Sequence, residues 1–513
     1  MMPDPEMGIE AGEPLKATPL RLTAEPNLPL MLGLLAAFVT IWTLYFAISD
    51  ALSAIHNDMA EAYVWGQEFQ LGYNQHPPFW AWICGLWFSV LPRSGWAFAI
   101  LTSLNAGIGL CGAWMLIGNF ADGRKRLAAT VLLLLTPFYT FLSYKYNANS
   151  IFLSVWPWTL HFFVRSIDRR QLADSLLFGL CVGLAMMSKY YALILVATCF
   201  IAAVGHPARS KYFASTSPYV SAAVAAVICA PHAWWLLTSG APPLRYLAKV
   251  SEQGLGAVAG YSVRTFLGSL ALNGAVLLTV ALVARTLPQR WMASLRLRWQ
   301  NPTFRTLVLL TLLPLVLTIL AGFVLRTKIS TNMMIGTFSL VPLLAIEIID
   351  PPQVERLYRV AAWLAAALTF GALALSPAIA LTKAWLSNDD NDIQPRKKLA
   401  LEATRLWHAM THLPLAYVGG DIVYADAVAF YGPDRPHVFV KFDFFRNQWV
   451  TPQDLAEHGL LAICVKDDRD CLASTAGFAT PRSTRTELSL THGFWGHHAP
   501  PANFVVTIIP PRT

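Results

Sequence analysis

Long apolar runs separated by short polar loops make up most of the chain. A helix needs about 20 apolar residues to cross the hydrocarbon core of a bilayer. The pattern therefore predicts about eleven membrane-spanning helices between residues 28 and 381. These predicted spans are 28–48, 97–118, 127–143, 150–164, 172–187, 190–205, 214–237, 263–284, 307–325, 332–349 and 359–381.

Residues 78–91 form a shorter apolar run that begins close to a Pro-Pro pair. We expect a helix that lies in the membrane interface or dips into it, because the run is too short to cross. The first outer loop, 49–96, would then contain interfacial helices. Residues 1–27 are polar and proline-rich, which is typical of a disordered tail.

The character of the chain changes after residue 381. From 382 to 513 the charge rises, and short β-branched runs such as "HVFVKF" and "NFVVTII" alternate with helical stretches such as "TPQDLAEHG". This alternation predicts a small soluble α/β domain. The predicted fold class is therefore an α-helical polytopic membrane protein with a small C-terminal α/β domain.

Composition supports the membrane class. The 513 residues are 55% hydrophobic and only 13% charged, whereas soluble domains carry about 25% charged residues. The net charge of +8 does not indicate nucleic-acid binding, because most positive residues lie in short loops between apolar runs. That distribution is the one that orients membrane proteins.

The basic loops also predict the orientation of the protein. They lie in alternate loops, at 123–126, 165–170, 206–211, 285–305 and 356–359. All five face the cytoplasm if the first span runs outward and 78–91 does not cross. The tail 1–27 is then cytoplasmic, while the first outer loop and the C-terminal domain face the periplasm or exterior.

Five of the seven cysteines lie in apolar stretches and are expected to be small core residues. Cys464 and Cys471 flank the polar loop "VKDDRD" near the C-terminus. A periplasmic location would permit a disulfide between them, but spacing alone leaves the pairing open.

Cations occur in the predicted outer loops, where the orientation rule disfavours them. They are Lys145, Lys189, Arg245, Lys249, Arg264, Arg326 and Lys328. One interpretation is that these side chains extend to anionic lipid headgroups. For Lys189, and for Arg326 with Lys328, we favour the alternative that they bind a phosphate at the outer membrane surface.

The stretch "HNDMAEAYVWGQEFQLGYNQHPPFWAW", residues 56–82, places acids and histidines just past the first span. Asp58 and Glu61 are three residues apart, so they could form a capping box at a helix start. A carboxylate in a partly dry cavity can also act as a general base, and the two roles are compatible. His76, before Pro77 and Pro78, either ends a loop or donates a hydrogen bond to a phosphate.

Together these features resemble a known family. An acid in the first outer loop, "HPP" before an interfacial helix, a lysine between two mid-chain spans and an outer C-terminal domain resemble GT-C glycosyltransferases that use polyprenyl-phosphate sugars. The similarity is to the bacterial group with 4-amino-4-deoxy-L-arabinose transferase and protein mannosyltransferase-like enzymes (glycosyltransferase family 39). "KYNANSIFLSVWPW" and "APHAWWL" also resemble the rhizobial lipid A and core galacturonosyltransferases. The resemblance extends from residue 28 to about residue 440.

The resemblance implies inverting transfer of a sugar from a polyprenyl-phosphate donor to an acceptor on the outer leaflet. Asp58 occupies the position of the family's catalytic carboxylate, with Glu61 beside it. The implied donor-phosphate ligands are His76, Lys189, Arg326 and Lys328. The implied partners are the bilayer, the lipid-linked donor and a lipid A or core glycolipid acceptor, with no nucleic acid.

One departure from the family concerns the loop after the third span. Many relatives carry a second acid there, whereas this chain has "YNANS", with Asn147 and Asn149. An amide cannot act as a second base and is a poor metal ligand. The sequence therefore does not firmly predict any cofactor, and it disfavours a divalent metal. The amides and cations would stabilise charge instead.

The remaining residues predicted for the substrate pocket are aromatic or polar and lie in or near outer loops. They are Tyr63, Trp80, Lys145, Asn147, Asn149, Tyr190 and His232. His232 is either a wall of the acceptor pocket or a residue of the interfacial aromatic belt. Trp80 would stack on a sugar or pack against a lipid tail.

Three alternatives stay open. A protein Ser/Thr hydroxyl could replace the glycolipid as acceptor. A transporter or flippase of a lipid-linked sugar also uses ionisable groups near a cavity, although here those groups cluster at one membrane face. A non-catalytic scaffold would give Asp58 and the cations no joint role.

Overall fold

The computed structural model describes residues 28–386, 395–491, 493–498 and 500–512. The predicted N-terminal tail lies outside these residues. Within them, six helices are long and apolar enough to cross a membrane. They are α1 (Leu28–Ser49), α4 (Gly95–Ile117), α10 (Ser217–Thr238), α12 (Leu255–Ala284), α14 (Pro302–Val324) and α16 (Val354–Leu386).

The other predicted spans correspond to helices that are too short, or not apolar enough, to count among these six. They are α5 (Gly123–Leu133), α6 (Phe152–Arg169), α7 (Leu172–Met186), α8 (Ala192–Gly205) and α15 (Val341–Ile349). Some of these apolar runs pack inside the protein: every residue of α5 from Arg126 onward is buried. Hydropathy alone does not separate such interior helices from lipid-facing ones.

The short run before α4 forms α3 (Phe79–Val90), a 12-residue helix. At 1.5 Å per residue it is about 18 Å long, too short to cross a bilayer alone. It packs against α2 (Asn57–Glu68) through a glycine contact. A Cβ on Gly66 would lie 2.4 Å from the carbonyl oxygen of Ala81, and one on Gly85 would lie 2.1 Å from the oxygen of Gly66. Only glycine permits this approach, which fixes α2 against α3.

Two of the predicted basic loops pair with acids of the same segment, residues 347–355. Lys125 forms an ion pair with Glu347 (2.7 Å), and Arg124 forms one with Glu355 (2.9 Å). Arg298, at the end of α13 (Pro288–Arg298), pairs with Asp350 at 2.8 Å. The predicted loops 123–126 and 285–305 therefore both contact the segment 347–355, which precedes the predicted loop 356–359. The short helix α9 (Arg209–Phe213) begins inside another of these predicted loops, 206–211.

One end of the bundle carries α2, α11 (Pro242–Val250) and a C-terminal domain, and we call it the domain end. The domain begins with α17 (Arg396–Thr411). It contains the strands β1 (Tyr417–Gly420), β2 (His437–Val440), β3 (Leu460–Val465), β4 (Thr484–Leu490), β5 (Gly493–Phe494), β6 (His497–His498) and β7 (Ala502–Ile509). Its connecting helices are α18 (Ile422–Tyr431), α19 (Pro452–His458) and α20 (Arg469–Ala476).

Five of these strands form one sheet in the order β2-β1-β3-β7-β4, and β5 pairs with β6. β1 is parallel to β2 and β3, while β7 is antiparallel to β3 and β4. β3, "LLAICV", is buried over its first five residues, as expected for a strand covered on both faces. The predicted C-terminal α/β fold is confirmed, although the predicted boundary at 381 falls inside α16.

The structure settles the pairing that the spacing of the two C-terminal cysteines left open. Cys464 of β3 and Cys471 of α20 form a disulfide, with their Cα atoms 5.7 Å apart. The five cysteines of the apolar stretches are free thiols.

The C-terminal domain is anchored to the first loop by polar contacts. The Ile55 backbone N–H donates to the Tyr431 hydroxyl (2.8 Å), and Arg396 donates to the Ile55 carbonyl (2.9 Å). His437 and Glu68 form an ion pair at 2.8 Å. Arg93 donates to the carbonyl oxygen of Ala429 at 2.9 Å. These contacts hold α18 against α2, the helix that carries Asp58 and Glu61.

Candidate active site

Asp58 is the second residue of α2, and it does not cap that helix. His56 is the N-cap residue, and its Nδ1 accepts a hydrogen bond from the Asp58 backbone N–H at 3.1 Å. The proposed capping box of Asp58 and Glu61 is therefore wrong. The Asp58 side chain remains 43% exposed, which leaves the carboxylate accessible to a substrate.

Asn147 donates from its Nδ2 to the Asp58 carboxylate at 2.7 Å. Its Oδ1 accepts hydrogen bonds from the backbone N–H groups of Asn149 (2.8 Å) and Ser150 (2.9 Å). Because backbone N–H groups only donate, these two bonds fix the orientation of the amide and direct its N–H₂ to Asp58. An amide N–H cannot ligate a cation, so Asn147 stabilises the carboxylate by hydrogen bonding and not through a shared metal.

Lys189 lies in the turn between α7 and α8. Its Nζ donates to the Oδ1 of Asn149 at 2.6 Å. The amides of Asn147 and Asn149 therefore connect the Asp58 carboxylate to the Lys189 ammonium in one hydrogen-bonded chain. Burial lowers the pKa of Lys189 to about 8, opposed by the negative charges of Asp58 and Glu61. The ammonium is therefore mostly charged at neutral pH, and its hydrogen-bond partner is a neutral amide.

Glu61 lies one helical turn after Asp58. Burial, and then the negative charge of Asp58, raise the pKa of Glu61 to about 7. The positive charges of Arg446 and Lys189 act in the opposite direction. The pair therefore consists of an accessible carboxylate and a carboxyl group that exchanges its proton near neutral pH.

Two charged residues near Glu61 were missed by the sequence analysis, and both come from the C-terminal domain. Asp426 of α18 is only 3% exposed; burial, followed by the charge of Glu61, raises its pKa well above the usual value. Arg446, in the loop between β2 and α19, lowers the pKa of both carboxyls. The one available signal was an acid inside the apolar stretch "IVYADAVAFYG".

His76 lies beside the rings of Trp65 and Trp80, with each ring centroid 6.2 Å from its own. Burial, and then the charge of Lys189, lower its pKa well below the usual value, so its imidazole is neutral. Its buried Nδ1 has no hydrogen-bond partner in the part of the chain that the structure describes. A neutral imidazole donates one hydrogen bond and adds no positive charge.

Tyr190 and His232 form a fixed pair. The Nδ1 of His232 lies 2.8 Å from the Leu71 carbonyl oxygen, which only accepts. Nδ1 therefore carries the proton, and Nε2 accepts a hydrogen bond from the Tyr190 hydroxyl at 2.8 Å. His232 is buried and stacked on Trp235, which is not the position of a lipid-facing belt residue. It holds Tyr190 next to Lys189 in the chain.

Tyr63 and Trp80 lie in the aromatic core. Tyr63 is 4% exposed and packs edge-to-face on Phe88 and Phe430, the latter from α18. Trp80 is 1% exposed, and its carbonyl oxygen accepts a hydrogen bond from the Tyr146 hydroxyl at 2.9 Å. Neither side chain presents a surface to a ligand in this conformation, so their role as pocket walls stays a prediction.

The other predicted cations, Lys145, Arg326 and Lys328, are exposed. The Arg326 carbonyl accepts from the Gln253 backbone N–H at 3.0 Å, and the Lys328 ammonium lies 5.9 Å from the centroid of the Tyr261 ring. Across the described residues, none of the three cations forms an ion pair with Asp58 or Glu61. The structure thus joins Asp58, Asn147, Asn149 and Lys189 but does not bring these cations to them.

The overall fold has a counterpart among solved structures. ArnT from Cupriavidus metallidurans, in a crystal structure bound to undecaprenyl phosphate, superposes with a TM-score of 0.60 over 93% of this chain and 97% of that one, at 14% identity. The chain has the GT-C fold of ArnT. The apo form of ArnT gives the same TM-score. The fold implied by the sequence resemblance is therefore confirmed.

Sequence comparison gives a consistent family resemblance. Residues 75–235 match the family described as Dolichyl-phosphate-mannose-protein mannosyltransferase. The matched segment contains the predicted ligands His76 and Lys189 and the two asparagines, but it begins after Asp58 and Glu61.

Two curated relatives come from Rhizobium johnstonii. The lipopolysaccharide core galacturonosyltransferase RgtB is 29% identical over 241 residues, which cover 44% of this chain and 47% of the relative. The lipid A galacturonosyltransferase RgtD is 28% identical over 226 residues, which cover 42% of this chain and 46% of the relative. The alignments thus span about half the length of these relatives. The predicted resemblance to the rhizobial branch is confirmed.

Proposed function

We propose that this protein is a membrane glycosyltransferase that moves a sugar from a polyprenyl-phosphate donor to a glycolipid acceptor. The observation that carries the proposal is the hydrogen-bonded chain from Asp58 through Asn147 and Asn149 to Lys189. It holds a carboxylate and a partly buried cation at fixed positions at the domain end. Such a pair suits a reaction in which a hydroxyl loses a proton while a phosphate gains charge.

The reaction is a single displacement. The oxygen of the acceptor hydroxyl attacks the anomeric carbon as Asp58 removes the hydroxyl proton. The bond between that carbon and the phosphate oxygen breaks, and its electron pair leaves with the polyprenyl phosphate. Lys189 stabilises the additional negative charge, and the neutral imidazole of His76 donates one hydrogen bond to the phosphate. The configuration at the anomeric carbon is inverted.

The asparagines have a defined part in this mechanism. Asn147 keeps one oxygen of Asp58 hydrogen-bonded at 2.7 Å, which leaves the other oxygen to accept the proton of the acceptor hydroxyl. Asn149 holds the Lys189 ammonium at 2.6 Å without neutralising it. Hydrogen-bond donors fixed before the reaction stabilise developing charge without reorganisation. Tyr190, held by His232, would restrict the substrate beside Lys189.

We place the site on the periplasmic side of a bacterial inner membrane. The basic loops 123–126 and 285–305 contact the same segment, 347–355, and we place them at the end of the bundle opposite to Asp58, because basic loops favour the cytoplasm. A disulfide between Cys464 and Cys471 is consistent with an oxidising compartment for the C-terminal domain. Both observations support the same orientation.

For the acceptor we propose lipid A or the lipopolysaccharide core, because the names of RgtB and RgtD specify those targets. A protein hydroxyl is the second candidate, supported by the matched mannosyltransferase family. A glycolipid mass spectrum of a deletion strain distinguishes the two. We expect the deletion to remove one sugar increment that the wild-type gene restores.

The same strain tests Asp58. Asp58→Asn keeps the size of the side chain but cannot accept the proton, so it should not restore the increment. Asp467→Asn, at an exposed turn of the C-terminal domain, is the matched control and should restore it. An unchanged lipid profile in the deletion strain would contradict the glycolipid acceptor.

A further inference from the structure

A cavity of about 930 Å³ lies at the domain end, between the membrane-spanning helices and the C-terminal domain. One wall is the last turn of α1, with Phe46 and Ala47, and another is the start of α4, with Trp96. A third wall comes from α17 and α18 of the domain, with Leu401 and Phe430. Because α1 ends and α4 begins here, the cavity lies at the level of a membrane surface.

The lining contributed by the bundle and the first loop is largely apolar. Phe46, Ile55 and Met59 line the cavity and are at most 4% exposed. Leu52 and Trp96 line it as well and are 44% and 47% exposed. Covering such side chains with another apolar group is favourable. This part of the lining therefore suits the acyl chain of a lipid.

The remaining lining is basic. Lys397 and Lys398 lie in the first turn of α17, Arg435 lies after α18, and Arg93 lies just before α4. Among the lining residues, the one acid is Asp50, and the Lys383 ammonium pairs with it at 2.6 Å. None of the four lining cations forms an ion pair with an acid that the structure describes. The cavity therefore has an excess of positive charge.

Two of these cations are held by carbonyl groups, which leave their charge in place. The Arg93 guanidinium donates to the carbonyl oxygens of Ala429 (2.9 Å) and Gly432 (2.8 Å) at the end of α18. The Lys398 ammonium donates to the Thr491 carbonyl oxygen at 3.1 Å. The other two cations, Lys397 and Arg435, make no side-chain hydrogen bond within the described ranges and are exposed. They are free to bind an anion in the cavity.

We propose that this cavity binds the headgroup of an anionic glycerophospholipid and so bridges the bundle and the C-terminal domain. Lys397 and Arg435 contact the lipid phosphate, whose oxygens accept charge-assisted hydrogen bonds from both cations. An acyl chain covers Leu52 and Trp96. Lysine and arginine at a membrane surface attract anionic lipids, and the apolar lining favours a lipid over a free phosphate. The site does not depend on the proposed transfer reaction.

The test measures lipid binding to the purified full-length protein in detergent micelles by native mass spectrometry. Phosphatidylglycerol is the probe, and phosphatidylcholine with the same acyl chains, which has no net charge, is the comparison. The wild type should retain phosphatidylglycerol more tightly. Lys397→Gln combined with Arg435→Gln should weaken this binding on the order of 30-fold, because each cation contributes about fivefold. Phosphatidylglycerol should raise the Tm of the wild type but not that of the double variant.

A second double variant is the matched control. Arg469→Gln with Arg485→Gln makes the same change in net charge at exposed positions of the same domain outside the cavity. It should bind phosphatidylglycerol as the wild type does. Lys397→Arg with Arg435→Lys keeps both charges and should also retain the lipid. If the double glutamine variant folds poorly, each single variant should lose about fivefold.

Three results would overturn the inference. The first is equal affinity of the wild type and of Lys397→Gln with Arg435→Gln for phosphatidylglycerol. The second is equal affinity of the wild type for the anionic and the zwitterionic lipid. The third is displacement of the lipid by millimolar inorganic phosphate, which would identify a site for a free phosphate.

Discussion

The Asn147 side-chain amide donates a hydrogen bond of 2.7 Å to the Asp58 carboxylate, across 89 residues of sequence. An acid in place of Asn147 would bring two carboxyl groups into contact. Here the contact joins a carboxylate to a neutral donor. The site therefore gives the Asp58 carboxyl group a fixed hydrogen-bond donor.

Replacing Asn147 with alanine should weaken catalysis without removing the base. A hydrogen bond to a charged group contributes about 1.5–3 kcal/mol, so kcat should fall on the order of 10- to 100-fold. The measurement is turnover of the lipid-linked donor by the purified variant. Asn503→Ala, at an exposed position of β7, is the control. A normal rate for Asn147→Ala would show that the contact has no catalytic role.

Activity should decrease as the pH rises above about 8. The pKa of Lys189 is lowered to about 8, and only the protonated ammonium stabilises the leaving phosphate. Lys189→Arg should keep activity to higher pH, because a guanidinium stays charged there. The measurement is kcat/KM as a function of pH for both proteins. If kcat/KM of Lys189→Arg decreases at the same pH as that of the wild type, the decrease belongs to another ionisable group.

The stability of the protein should depend on Glu61 in a defined direction. Because the folded state raises the pKa of Glu61 from 4.5 to about 7, the carboxyl stabilises the fold fully below about pH 4.5, and this contribution is lost as the pH rises through 7. Glu61→Gln removes the ionisation. Its Tm relative to wild type should therefore be higher at pH 8 than at pH 5.5. The same Tm difference at both pH values would contradict this.

Tyr190 and His232 should act as one unit. If His232 serves only to hold the Tyr190 hydroxyl at 2.8 Å, Tyr190→Phe and His232→Phe should each lower kcat/KM by a similar factor. The double variant should then be no worse than either single variant. The measurement is kcat/KM of the two single variants and the double variant. If the loss in the double variant equals the product of the two single losses, the two residues act independently.

The sequence was most informative about local chemistry and least informative about contacts between distant segments. Hydropathy predicted the bounds of α1, α4 and α10 closely, because each presents a continuous apolar run, whereas α12, α14 and α16 begin earlier than the predicted spans. Hydropathy overestimated the length of α5, which was predicted to extend to residue 143 but ends at Leu133. An apolar run that packs inside the protein has the same composition as one that lies in lipid.

The site could be predicted only in part, for a related reason. Asp58 and Lys189 stood out because charged residues are unusual at the membrane edge. Their connection through Asn147 and Asn149 depends on amide orientations that only the structure gives. Asp426 was missed although an acid in an apolar stretch was a local signal, because the contact of α18 with α2 joins segments distant in sequence. Arg446, in the loop between β2 and α19, had no such signal.

The most direct test of the central claim is sugar transfer by the purified protein with Asp58 intact or replaced by asparagine. With a radiolabelled polyprenyl-phosphate sugar and lipid A, wild type should form labelled glycolipid and release polyprenyl phosphate in equal amounts. Asp58→Asn should bind the donor with unchanged affinity but transfer its sugar on the order of a thousandfold more slowly. Transfer by Asp58→Asn at the wild-type rate would contradict the assignment of Asp58 as the general base.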